Sequence, residues 1–311
     1  MKRILSLFLS ALILLCGCGA KSEPKAALSG EFTFTDSLGR QVSLDKPQRV
    51  AALIGSFADV WVTAGGEDTL IATAHDAWTS FDLALGEEVA DLGGVKQPDL
   101  ERLLAAKPDF ILASCNTASN LELKATFEQL SIPTAYFDIQ HFDDYLNMLK
   151  ICTELTGCPE RFEHFGSDVE KQVKQAKART EGISPSVLCI RATGVSCKVK
   201  SSRDNLLGEM LFDLNCRNIA DEDGALLESL SLEAIMRADP DYIFVVLQGA
   251  DPEKAMKTLE KTLLSNPAWQ NLTAVKEGRF FTLEHRLYNL KPNARWGEAY
   301  EKLANILCKT E

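Results

Sequence analysis

Three histidines stand just after apolar, strand-like runs: His75 in "TAHDAW", His141 in "DIQHFDD" and His285 in "LEHRLYN". With Asp76 or Glu284 they form a donor set suited to a bare divalent metal such as zinc or manganese, provided the fold makes them converge, because no two histidines stand at a local ligand spacing. A second set suits a different ligand. Phe57, Trp78 and Tyr288 offer aromatic faces, Arg191 and Arg286 fixed positive charge, and Asn116, Gln140 and Gln248 amide groups. Together they fit a flat anionic molecule held by cation–π contacts and charge-assisted hydrogen bonds. Turnover chemistry has no comparable signature: the chain has no Gly-x-Ser-x-Gly elbow, no P-loop and no Gly-x-Gly-x-x-Gly turn. We therefore read a binding protein, not an enzyme, with no catalytic residues and no cofactor; a secreted metalloenzyme built on the histidines is the alternative.

The elements that position these residues alternate. "RVAALIG", "TLIATA", "PDFILAS" and "IPTAYFD" read as buried strands, and the segments between them, such as "SFADVWVTAGG" and "PDLERLLAAK", as helices. The second half repeats the grammar with "SVLCIRA", "NLLGEMLFDLN", "DYIFVV", "GRFFTL" and a last helix, "NARWGEAYEKLANILC". This predicts an α/β fold of two lobes, each a mostly parallel sheet flanked by helices. From Pro159 to about Thr180 a polar stretch carries Phe162, Phe165, Val169, Val173 and Ala176 three and four apart, the stripe of one long rigid helix joining the lobes. Before the first lobe, "FTFTDSLGRQVSL" alternates about Leu38-Gly39 and predicts a hairpin.

One phrase occurs twice. "DLERLLAAKPDFIL" and "SLEAIMRADPDYIF" both set a glutamate, Glu101 or Glu233, seven residues before Pro-Asp and an aromatic residue. Such a pair marks equivalent helix-to-strand steps in two similar lobes. Part of the likeness is generic, since acids favour a helix start and proline ends a helix.

The chain's start is a targeting signal, not fold. Lys2 and Arg3 precede an apolar run from Ile4 to Cys16, shorter than the roughly 20 residues of a spanning helix. The expected divisions are 1–17 leader, 18–30 flexible tether, 31–158 first lobe, 159–182 connecting helix and 183–311 second lobe. The formal net charge of −11, more negative once Lys2 and Arg3 leave, argues against nucleic acid as partner. The seven cysteines beyond Cys18 are irregularly spaced without a C-x-x-C pair, so they read as buried small hydrophobes; a Cys189–Cys197 disulfide stays open.

The stretches "DSLGRQVSLDKPQRV", "DLGGVKQPDLERLLAAKPDFIL", "SLEAIMRADPDYIFV" and "NPAWQNLTAVKEGRFF", in this order over about Phe32 to Ile306, resemble the substrate-binding lipoproteins of ABC importers, in the branch that captures ferric siderophores, haem and cobalamin. "LCGC" resembles the lipobox of such proteins and makes Cys18 the lipidated anchor to the bacterial membrane, outside the cytoplasm. The resemblance implies a ligand cleft between the lobes and capture of an iron complex, a ferric siderophore foremost, with haem held axially by Tyr288 or a histidine, cobalamin or a bare metal as alternatives. It implies a monomer delivering its ligand to a permease dimer driven by an ATPase, with Glu101 and Glu233 as the docking acids. Two departures bear on the ligand: "LNCRNIA" keeps Asn218 but lacks the family's Gly-Gly, and "LIGSFADVW" lacks its Ser-Pro.

Overall fold

The computed structural model describes residues 31–249 and 251–308. The leader, the tether and Cys18 lie outside the described residues. Strands β1 (Phe32–Thr35) and β2 (Gln41–Leu44) form the expected antiparallel hairpin. Its turn is held by the buried Asp36 carboxylate, which accepts from the Leu38 and Arg40 amides, each at 3.0 Å, and from the Arg40 guanidinium at 2.6 Å. The same carboxylate accepts from the Tyr136 amide at 3.2 Å, and the Arg40 guanidinium lies 4.7 Å from the Tyr136 ring centre. The "DSLGR" stretch is thus a clasp fastening the hairpin to the first lobe.

That lobe is a five-stranded parallel sheet of β3 (Val50–Ala52), β4 (Leu70–Thr73), β5 (Ala90–Asp91), β6 (Phe110–Ser114) and β7 (Thr134–Phe137), ordered β5-β4-β3-β6-β7. The second lobe holds β8 (Ser186–Thr193), β9 (Cys197–Lys200), β10 (Arg217–Asn218), β11 (Tyr242–Gln248) and β12 (Phe280–Leu283). Four of these run parallel in the order β10-β8-β11-β12, and β9 pairs antiparallel with β8. In both lobes the first strand is internal and the chain winds outward to either side, which opens a crevice at the carboxyl ends of the strands.

The repeated phrase has a shared architecture. Each copy ends its helix on a residue in the left-handed region, Lys107 (φ 51°) or Asp239 (φ 40°), immediately before the proline. In each, the aspartate after the proline grips the start of the lobe's first strand. Asp109 accepts from the Gln48 and Arg49 amides, each at 2.9 Å, and Asp241 from the Ser186 amide at 2.8 Å and its hydroxyl at 2.7 Å. The Pro-Asp half of the phrase is therefore explained by strand alignment. The glutamates are not: Glu101 and Glu233 project from exposed first turns, and Glu233 meets only Arg237 on its own helix at 3.6 Å.

The connection is helical throughout, Glu160–Phe162 leading through a π-helical turn at Glu163–Ser167 into Asp168–Arg179. The π turn is a departure from the uniform helix expected. Val169, Val173 and Ala176 are buried as the stripe predicts, beside the C-terminal helix Trp296–Leu307, where Gly297 leaves no room for a Cβ against Gln172. One apolar cluster includes Val50 and Phe137 of the first lobe, Val173 of the connector, Phe244 of the second lobe and Leu303 of the last helix. A core shared in this way resists hinge motion, because opening would expose packed apolar surface. Cys189 and Cys197 are free: in the β8–β9 ladder Cys189 stands opposite Lys200 and Cys197 opposite Ala192, so the disulfide left open by the sequence is not formed.

Replacing Asp241 by alanine removes a charged acceptor from two donors and is expected to cost about 1–3 kcal/mol in urea unfolding. Glu101→Ala and Glu233→Ala should each change stability by about 0.5 kcal/mol or less. Equal losses at all three positions would assign the whole phrase to folding.

Candidate functional site

The lobes meet through a polar clamp. Asp59, on the helix Gly55–Thr63, accepts from the Arg286 guanidinium at 3.0 Å and from the Asn293 amide at 2.7 Å; that amide also donates to the Ser56 carbonyl at 2.8 Å. Arg286 donates further to the Lys291 carbonyl at 2.6 Å and lies 4.2 Å from the Phe81 ring centre. Burial raises the Asp59 pKa and lowers that of Arg286, each against the pull of its partner. Clamp residues and Phe81 wall a cavity of about 440 Å³ between the lobes.

This arrangement corrects three expectations. Arg286 was expected to meet an anionic ligand, but its charge is taken up by Asp59. Phe57 is 2 % exposed and packs edge-on against Phe137, leaving no face for a ligand. Tyr288 borders the same cavity as Arg191 and Lys291 but is 3 % exposed, and its hydroxyl donates to the Ala299 carbonyl at 3.0 Å, so that hydroxyl is committed to the core and not available to iron.

Three adjoining cavities form a cleft beside the clamp. The largest, about 460 Å³, is walled by Gln140, His141 and Phe142 from the first lobe and by Arg203, Glu209, Phe212, Trp296 and Tyr300 from the C-terminal half. A second, about 190 Å³, shares Gln140, Arg203 and Glu209 with it and adds Asn116 and Lys291. A third, about 200 Å³, shares Asn205, Leu206 and Lys291 with the second and reaches Arg191 and Lys200. Asn116 and Gln140 follow β6 and β7, Arg191 lies on β8, and Lys291 follows β12, so the cleft lies where strands of both sheets end. His141 Nδ1 stands 3.0 Å from the Glu209 carboxylate and bridges the two walls. Burial raises the Glu209 pKa while the histidine opposes it.

The charge of the cleft is unbalanced in one respect. Among the described residues Arg191, Arg203 and Lys291 make no side-chain hydrogen bond or ion pair; burial lowers the pKa of Lys291 against the longer-range pull of Glu209, Asp138 and Asp144. Unpaired cations in a partly desolvated groove favour an anion. Asn116 and Gln140 both turn their amide groups on Asp138, the latter at 3.0 Å.

Of the expected site residues the structure brings Asn116, Gln140, His141, Arg191 and Tyr288 to the cleft, Tyr288 with its hydroxyl turned to the Ala299 carbonyl. His75 pairs with Asp91 at 2.7 Å and lies 6.4 Å from the Trp78 ring; neither it nor Trp78 lines the three cavities, and Gln248 at the end of β11 does not either. His285 sits 3.0 Å from the Asn289 amide. The three histidines thus have separate partners, and no group of three or more His, Cys, Asp or Glu side chains suited to a metal ion occurs among the described residues. Sequence reasoning missed Lys291, Arg203, Glu209, Phe212 and Trp296. Only Phe212 had a signal, as a bulky apolar residue at the polar end of the helix Leu206–Asp213.

Two α/β lobes on a helical connector, with a cleft at their strand ends, are the architecture of a solute-binding protein. The chain belongs to the periplasmic binding protein family, which it matches over residues 50–287. It is 25% identical to the iron-uptake system-binding protein of Bacillus subtilis (strain 168) over 100% of this chain and 98% of that one. It is 29% identical to the vitamin B12-binding protein of Pectobacterium carotovorum subsp. carotovorum (strain PC1), over 67% of this chain and 73% of that one. Among solved structures, the TroA-like periplasmic binding protein FepB from Veillonella parvula superposes with a TM-score of 0.71 at 17% identity, covering 89% of this chain and 90% of that one, a likeness of fold. No helix among the described residues is long and apolar enough to cross a membrane.

Asp59→Ala leaves the Arg286 charge uncompensated at the lobe interface and is expected to cost on the order of 3 kcal/mol in thermal or denaturant unfolding, whereas the paired apolar change Asp59→Leu with Arg286→Met should recover most of that loss. A fully destabilised double variant would mean the ion pair itself, not its uncompensated half, carries the stability.

Proposed function

We propose that the chain is an extracytoplasmic solute-binding lipoprotein that captures an iron complex, a ferric siderophore foremost, in the inter-lobe cleft and delivers it to an ABC permease. The observation that carries the anionic part of this reading is the trio Arg191, Arg203 and Lys291, cationic side chains facing the cleft without ion-pair partners. Full-length likeness to a protein named for iron uptake supports the iron part. The role is binding and delivery, with no reaction on the ligand. A second reading, haem, is favoured by one feature: His141 borders the most aromatic cavity, where a planar macrocycle would stack.

Delivery follows from the two lobes. A permease of two like subunits offers two like sockets, and Glu101 and Glu233 give one exposed acid per lobe in equivalent positions. Because the strand-aligning work of the repeated phrase falls to Asp109 and Asp241, the glutamates are free for docking. The shared core and the Asp59 clamp imply small closure on ligand binding. Cys18 carries the lipid, and 18–30 is the tether that lets a monomer reach the permease and its ATPase.

Equilibrium titration with ferric siderophores, haemin, cyanocobalamin and zinc tests the ligand: tight binding of a ferric siderophore is expected, and binding of zinc alone would end the iron-complex reading. Glu101→Arg with Glu233→Arg should leave ligand affinity within about two-fold while abolishing uptake and stimulation of the transporter ATPase, since like charges would meet at the docking surface. Normal transport by that double variant would restrict both acids to their own helices. Cys18→Ala should release the protein from membrane fractions or leave it unprocessed.

A further inference from the structure

Two side-chain ties join the lobes across the cleft, and they differ in how much water they meet. The clamp is sheltered, its Arg286 and Asp59 side chains each 18 % exposed. In the other tie, His141 with Glu209, the imidazole is 64 % and the carboxylate 20 % exposed. His141 stands at the start of the first-lobe helix Phe142–Thr156, where its amide donates to the Asp144 carboxylate at 2.8 Å, and Glu209 lies on the second-lobe helix Leu206–Asp213. The pair crosses the cleft where the largest cavity meets the small polar one, since Gln140 and Glu209 border both. Lys291 connects the two ties: its carbonyl accepts from Arg286, and its ammonium feels the Glu209 charge. Parting the lobes at the clamp would strand its charges and expose the shared core. A small movement of the walls therefore turns about the clamp and opens the His141 edge.

That edge depends on protons. Most charged groups facing it are already engaged. Asp144 accepts from the Gln140 and His141 amides, Asp138 from the Asn116 and Gln140 side chains, and Asp213 from Lys177 at 2.7 Å and the Tyr300 hydroxyl at 2.8 Å. Asp204 is paired with Lys200, and Asp143 adds a further exposed negative charge. Arg203 and Lys291 are the facing cations, and neither forms an ion pair among the described residues. Glu209 thus has one close counter-charge, His141, and that charge exists only while the imidazole is protonated. Burial, to which the first-lobe wall contributes, pushes the Glu209 carboxyl above its usual range, with His141 and Lys291 opposing. Both effects have one sign. Drawn together, the walls favour a proton on each partner, so acidification favours the closed edge. Raising the pH through the histidine range of about 5 to 8 leaves a half-covered carboxylate opposite a neutral ring, and the edge parts.

We propose that His141 and Glu209 are a proton-operated latch on the open edge of the cleft, closed when the imidazole is charged and released when it is neutral, with the Asp59 clamp as its pivot. The latch acts on the cleft whatever solute enters it and does not rest on the ligand reading. A pair this exposed shifts the balance of the two positions only a few-fold, so the latch tunes access to the cleft and does not seal it.

Electron–electron double resonance between spin labels on p-acetylphenylalanine, placed at the exposed positions of Asn147 in the first lobe and Lys198 in the second, reads the lobe separation without ligand. The mean distance is expected to be about 1–2 Å shorter near pH 5.5 than near pH 8. Glu209→Gln and His141→Gln should each flatten that dependence, whereas His164→Gln, on the connector, should preserve it. His141 is mostly exposed, so His141→Gln decides the matter if Glu209→Gln fails to fold. A wild-type distance equal at both pH values, or a pH dependence that survives either latch variant, overturns the proposal. Because no solute is added, that result would leave the capture reading to its own titration.

Discussion

A single carboxylate, Asp59, stands between the lobes with three claims on it: the charge of Arg286, the amide of Asn293 and the desolvation of its own surroundings. Burying a charge is tolerable only where opposite charge and hydrogen bonds replace water, so the geometry of this cluster must hold for the interface to hold. Asn293 pays a backbone cost to join it, with φ at 53° in the left-handed region and its amide spanning Asp59 and Ser56. The clamp thereby fixes the residues around it, and Lys291, two positions before Asn293, is carried to the centre of the cleft.

Around that clamp the two lobes are less independent than a two-lobed outline suggests. The connector and the C-terminal helix contribute to the same apolar cluster as the inner faces of both sheets, whereas the outer faces have separate clusters of their own. Relative rotation of the lobes would shear the shared cluster, and close-packed interiors do not deform continuously. The cleft is consequently shaped before ligand arrives. Preorganised walls lower the entropic cost of binding.

The repeated phrase shows how one sequence feature can serve two ends. Its left-handed residue, proline and aspartate together end a helix and align the first strand of each lobe, a requirement internal to the fold. Its glutamate has no such duty in either copy. The two acids therefore stand exposed at equivalent positions of the two lobes.

Local pattern was enough for the elements. The hairpin at "DSLGR", the alternation of strands with helices and the apolar stripe from Phe162 to Ala176 could all be read directly, because backbone periodicity and turn chemistry depend on neighbours in the chain. The π turn at Glu163–Ser167 left no such trace. Of the candidates placed after strands, Asn116, Gln140, His141, Arg191 and Tyr288 border the cleft between the lobes. What the sequence by itself could not decide was the direction each of those loop side chains takes. Phe57 turned into the core, Tyr288 gave its hydroxyl to a core carbonyl, and Arg286 turned toward a carboxylate 227 positions away, while Lys291 and Phe212, which carried no motif, were left facing the cavity. Whether a polar side chain meets ligand or protein is set by which partners lie within hydrogen-bonding distance, and those partners are assembled only when the two lobes close on their shared core.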